Sequence, residues 1–189
     1  MIKSNNKAKF ITLFSLLLFI SGFMLAACSQ EETEDANKEV IKKVLEHQFT
    51  GPDEKFVELV WNPEYRTVVN NKEENKELDK YVEEVYGPFF IDSYISSFLA
   101  ASGTTYPIVA HLSGHKLSLK DIMIEQSEKM SNRYTFVVTV GYQKNGEEEK
   151  TANVSGEVIF STKEVGKIGR FQYRDEDGIV NNLMNDMNN

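Results

Sequence analysis

Val40, Ile41, Val44, Leu45 and Phe49 recur at intervals of three and four with lysines and glutamates between them, which predicts an amphipathic helix. Gly51-Pro52 breaks that pattern and starts a second helix, with Pro52 in its first turn and the acids Asp53 and Glu54 at its positive end. Phe56, Leu59 and Val60 give this helix its apolar face, and Asn62-Pro63 ends it. Residues 70–77, "NNKEENKE", read as a polar loop. Leu78, Tyr81, Val82 and Val85 then mark one side of a third helix, interrupted at Gly87-Pro88. The stretch from Phe89 to Leu99 is apolar over most of its surface, which predicts the most buried helix of the chain.

The period changes in the second half. Tyr134, Phe136, Val138, Val140 and Tyr142 alternate with Thr135, Val137 and Thr139, as in a strand with one face buried. Asn145-Gly146 is a strong hairpin signal, because both residues tolerate the positive φ of a tight turn. Val154, Gly156, Val158 and Phe160 carry the return strand. Ile122 to Gln126 precedes this pair, and Ile168 to Tyr173 follows it. In the last segment the apolar parity slips between Ile168 and Phe171, which predicts a bulge at Gly169 and a bend in the strand. The expected fold class is α+β, with N-terminal helices packed on a curved antiparallel sheet of about four strands.

This order over roughly residues 38 to 180 resembles the nuclear-transport-factor-2-like cone fold, a superfamily that includes ketosteroid isomerase and many small secreted or lipid-anchored proteins. The resemblance is one of topology and pattern. It implies a cone-like domain, and in ketosteroid-isomerase-like enzymes a carboxylate and a tyrosine in the mouth of the cone. The short hairpin that precedes the family's long helix has only Arg66 to Val69 to supply it.

A different signal occupies the N-terminus. Lys3, Lys7 and Lys9 precede any acid, and Phe10 to Leu25 is an almost wholly apolar run, the layout of a secretory signal. The run is too short and too interrupted, by Ser15, Ser21 and Gly22, for a membrane span of about 20 residues. Leu25-Ala26-Ala27-Cys28 resembles the lipobox of bacterial lipoproteins at all its positions. The resemblance implies cleavage between Ala27 and Cys28, and a thioether-linked diacylglycerol on Cys28. Two acyl chains hold a protein stably at a bilayer, where one holds it only marginally. As the single cysteine of the chain, Cys28 has no partner for an intramolecular disulfide. The expected organisation is a signal peptide over 1–27, a lipidated Cys28 with an acidic tether over 28–37, and one α+β domain over 38–189. The expected place is the cell membrane, lipid-anchored and facing outside the cytoplasm.

Cleavage leaves 162 of the 189 residues and takes three lysines with it, so the net charge moves from −8 to −11. Such an acid excess excludes nucleic acid as a partner, since phosphates need basic contacts. It also disfavours flat docking on an anionic bilayer. "SQEETEDAN", residues 29 to 37, is acidic enough to stay solvated as a tether.

Candidate chemistry is sparse. His111 and His115 stand four apart, a metal-ligand spacing on a helix, but Pro107, Gly103 and Gly114 place them in a loop and no metal is expected. His47 reads as an exposed or half-buried helix residue. Asp92 and Tyr94 lie in the most apolar helix and Asp121 begins a strand, so each acid is weighed as a buried base against a solvated or capping residue. Ser155-Gly156 falls inside a strand, where it reads as backbone accommodation. The chain has no Gly-x-Ser-x-Gly elbow and no glycine-rich phosphate loop, and no cofactor is expected. Tyr81, Tyr86, Phe89, Phe90, Tyr94 and Phe98 are either packed core or the lining of a pocket for an apolar ligand. The expected function is a non-catalytic binding or interaction module, for an apolar ligand or a protein partner. The alternatives are a small cone-fold isomerase or dehydratase, and an accessory solute-binding lipoprotein.

Overall fold

The computed structural model describes residues 33–51, 53–174 and 177–186. Two compact units divide the chain, 1–36 and 37–189, and the architecture below is that of the second. Ala27 and Cys28 lie outside the described residues.

Among the described residues of this unit the helices come first: α1, which fills 37–49 here, α2 Glu54–Trp61, α3 Lys76–Tyr86, α4 Asp92–Phe98 and α5 Thr105–Ser113. A short hairpin of β1 Thr67–Val69 and β2 Lys72–Glu74 separates α2 from α3. The sheet follows as β3 His115–Gln126, β4 Arg133–Lys144, β5 Lys150–Phe160 and β6 Ile168–Arg174, antiparallel in the order β3-β4-β5-β6. A last helix, α6 Ile179–Asn185, closes the domain. The α+β class, with helices packed on a curved antiparallel four-stranded sheet, is as the pattern predicts.

The concave face carries the core. Tyr134, Val138, Val140, Val154 and Val158 are fully buried, while their neighbours Thr135, Val137 and Asn153 face solvent. Curvature has two local sources. Phe160 pairs Ile168 while Ile159 pairs Arg170, so Gly169 is the extra residue of a bulge, as the parity slip predicts. A second bulge lies at Lys120, between the Leu119–Val140 and Asp121–Thr139 pairs. Gly156 completes the fit, because a Cβ there would overlap both the Phe136 ring and the carbonyl oxygen of Gln172.

Several local expectations are corrected. The stretch 70–77 is not a loop: Asn70 and Asn71 take positive φ (52° and 61°) in a two-residue turn, and Val69 pairs Lys72. Asn75 then caps α3, accepting from the Leu78 N–H at 2.9 Å. α2 starts at Glu54, with Asp53 accepting from the Phe56 N–H at 3.0 Å. Residues 105–113 form a helix, because Pro107 sits in its first turn, where a missing N–H breaks no bond, and Gly114 ends it at φ 71°. Phe89 to Ile91 is not helical. It pairs with β6, the Ile168 N–H donating to the Phe89 carbonyl at 2.7 Å and the Ile91 N–H to the Ile168 carbonyl at 3.1 Å. The most buried helix is therefore α5, with Tyr106, Pro107, Val109, Ala110 and Ser113 buried, and not α4. β3 starts at His115 rather than Ile122, so Asp121 sits at its bulge. The Asn145-Gly146 turn belongs to a five-residue connection in which Gly146 (φ 86°), and not Asn145, has positive φ.

Candidate binding surface

Aromatic rings fill the space between sheet and helices. Phe90 stacks on Phe98 with ring centres 4.6 Å apart, and Phe98 meets Phe171 at 5.4 Å. Phe171 touches Phe136 at 5.2 Å and Tyr173 at 5.0 Å, and Tyr106 joins Phe49 at 4.7 Å. Phe90 and Phe98 have no exposed surface. Tyr86, Phe90 and Phe98 are thus packed core, whereas Tyr81, Phe89 and Tyr94 are half-buried against it. Tyr94 serves structure too, its hydroxyl donating to the Phe171 carbonyl and accepting from the Phe171 N–H, both at 3.0 Å. Buried Gln48 donates to the Tyr86 hydroxyl (2.6 Å) and the Gly103 carbonyl (3.0 Å). Burial holds the phenols of Tyr86 and Tyr173 well above their ordinary value.

His111 and His115 line one hollow together with Glu54, while the other sequence-predicted polar residues lie apart. Asp92 is exposed in the first turn of α4, next to β6, whereas Asp121 is exposed on β3 at the opposite edge of the sheet. His47 is exposed on α1. His111 is exposed near the end of α5, while His115 is buried at the start of β3. The His115 ring lies between the Ser113 hydroxyl (Nδ1, 2.9 Å) and the Asp186 carboxylate (Nε2, 3.3 Å). This serine–histidine–aspartate line is not a nucleophilic site, because buried Ser113 donates its proton back to the Val109 carbonyl at 2.8 Å. Its role is to fasten the end of α6 to the sheet. Among the described residues no group of three His, Cys, Asp or Glu side chains is placed to hold a metal.

Among the described residues surface concavity lies in two places: a hollow of about 340 Å³ lined by Glu54, His111, His115 and Gln143, and a larger region where α1 crosses beside β3. One hollow of about 500 Å³ runs between Lys38, Lys42 and Glu46 of α1 and Leu119, Ile122 and Ile124 of β3. A second, of about 640 Å³, adds His47, Thr50, Asp53 and Tyr81, and shares Glu46 and Leu119 with the first. Together they form one trough, with Leu119, Ile122 and Ile124 alongside Lys120 and Asp121 on its β3 wall, and Lys38, Glu39, Lys42 and Glu46 on its α1 wall. Its far end is rigid: Asp53 caps α2 with one oxygen and takes the Tyr81 hydroxyl on the other, and Lys55 lies 5.1 Å over the Tyr81 ring. Burial and the Asp53 bond hold the Tyr81 phenol above its usual range. The only trace of the trough in the sequence is the stripe Lys38, Lys42, Glu46, Thr50 at spacing four, which reads as a solvated helix face. Comparison with protein-family models, curated proteins and solved structures finds no match to this chain.

Proposed function

We propose that this chain is a membrane-anchored extracytoplasmic lipoprotein, whose folded domain is a non-catalytic binding module that engages its partner at the α1–β3 trough. The observation that carries the anchoring is Leu25-Ala26-Ala27-Cys28 at the end of a positive and then apolar leader. Support for binding at the trough comes from the ring-filled interior, which leaves no lining for an apolar guest between Phe90, Phe98 and Phe171. Support for the cone-fold resemblance comes from the order of helices, hairpin and bulged meander, including β1–β2 ahead of α3. A net charge of −11 after cleavage keeps nucleic acid out of the set of partners.

A small cone-fold enzyme is the second reading, favoured by one observation: Asp53, Tyr81 and His47 line the same hollow. Against it, both Asp53 oxygens are engaged in holding α2 and Tyr81, so the carboxylate is spent on structure. Labelling cells with a fatty-acid analogue and fractionating their membranes tests the anchoring. Wild-type protein incorporates label and sediments with membranes as a cleaved chain, while Cys28→Ser takes no label and is recovered as uncleaved precursor or as released protein. A labelled, membrane-bound Cys28→Ser protein would refute the proposal.

A further inference from the structure

The far wall of the trough is an unpaired strand edge. Leu117 exchanges both of its backbone hydrogen bonds with Gly51 (3.2 and 2.6 Å), so at this point β3 turns those groups away from β4. Past the bulge at Lys120 the phase shifts by one residue. The Ser127 N–H donates to the Arg133 carbonyl at 2.9 Å, which puts the odd-numbered residues of this part of β3 in register for hydrogen bonds to β4. The N–H and C=O groups of Ile122 and Ile124 consequently point into the trough, and no backbone group among the described residues meets them. Such an edge is a template for another strand unless something covers it. Gly51 covers the first part of the β3 edge, while on the β6 edge Phe89 and Ile91 meet Ile168 and the Tyr94 hydroxyl meets Phe171.

We propose that the trough takes an extended segment of another protein as a fifth strand on β3, hydrogen-bonded to Ile122 and Ile124. Their half-buried side chains, with Leu119, form the apolar floor for alternate side chains of the guest. Between Lys38 and Thr50 the α1 wall runs about 18 Å at 1.5 Å per residue, the length of about five strand residues. Charge selects the guest. Glu46 stands at one end of the trough and Lys38 and Lys42 at the other. Along β3, Asp121 and Glu125 flank the exposed Met123, so the acids that a guest strand meets beside it are Asp121, Glu125 and, at one end, Glu46. The fitting segment sets apolar residues over Leu119, Ile122 and Ile124, lysine or arginine beside Asp121 and Glu125, and a basic residue at the Glu46 end. A second copy of this chain does not fit, because pairing two β3 edges about Met123 sets Asp121 opposite the partner's Glu125 and both copies are strongly acidic.

The inference rests on the binding-module reading, and its test is independent of the anchor. The full chain in detergent is titrated with synthetic nonapeptides alternating valine and threonine, ending in lysine, alanine or glutamate, while amide exchange is followed. The lysine peptides are expected to bind at least tenfold more tightly than the glutamate ones and to slow exchange at Ile122 and Ile124 at least tenfold. Ile124→Pro removes one outward N–H at an edge where proline is tolerated, and abolishes binding. Glu46→Lys, a change on the exposed face of α1, reverses the charge preference with folding intact. Binding without protection at Ile122 and Ile124, an unchanged affinity in both variants, or no binding by any peptide would overturn the strand-addition proposal. None of these results bears on whether Cys28 carries lipid.

Discussion

Truncating Phe98 to alanine separates a packed interior from a ligand pocket. The side chain is fully buried, with the Phe90 ring at 4.6 Å, Phe171 at 5.4 Å and Tyr86 at 5.7 Å. Gly103 lies so close to it that any Cβ there would overlap the ring. Phenylalanine-to-alanine changes in cores cost about 3 to 5 kcal/mol, the upper part applying where the surroundings cannot collapse. Here the neighbours are held, Phe171 by its strand and Phe90 by the backbone bonds on either side of it to Ile168, so about 4 kcal/mol is expected. At about 2 to 4 °C per kcal/mol for a domain of this size, that lowers the melting temperature by roughly 8 to 16 °C. Thermal and urea melts of Phe98→Ala against wild type measure it, with Val137→Ala on the exposed sheet face as a control that should shift by less than about 0.5 kcal/mol. A loss below about 1 kcal/mol, or stability restored by extracted membrane lipid, would mean that the interior is a pocket and that the reasoning from ring packing fails.

Gly156→Ala should destabilise by about 1 to 3 kcal/mol through overpacking against Phe136 and Gln172, and an unchanged urea midpoint would contradict that contact. Gly146→Val should cost about 1 kcal/mol from its φ of 86° alone, since no atom lies near enough to clash; a loss above about 3 kcal/mol would point to a different turn. Tyr81, Tyr86 and Tyr173 hold their protons more tightly folded than the ordinary value of 10.0, so the stability they contribute is fully present below pH 10 and falls as pH rises above it. Ultraviolet titration of phenolate absorbance against pH checks this, and native-state ionisation of all tyrosines near pH 10 would refute it.

Residues that bury one face of a regular element are legible in the sequence; those whose role depends on a neighbouring element are not. The alternation Tyr134 to Tyr142 specifies β4, and the slip from Ile168 to Phe171 specifies the bulge at Gly169. The same kind of slip, Leu119 to Ile122, marks the bulge at Lys120, but it is masked when Gly114 and Pro107 are taken as loop residues. Both are compatible with α5 because they fall at its two ends, where a proline loses no bond and a glycine takes positive φ. The β1–β2 hairpin leaves almost no pattern because it buries almost nothing and rests on its Asn70-Asn71 turn. The α1–β3 trough is invisible for a further reason. Lys38, Lys42 and Glu46 read as solvated until the tertiary fold sets Ile122 and Ile124 beside them.

The central claim, that this domain is carried on a lipid-modified Cys28, is tested most directly by mass spectrometry of the N-terminal peptide of protein recovered from the membranes of producing cells. The account predicts a mature chain that begins at Cys28 and carries a diacylglyceryl group on its sulfur. A membrane-bound chain in which Cys28 is unmodified, or in which the first residue lies anywhere else, would contradict it.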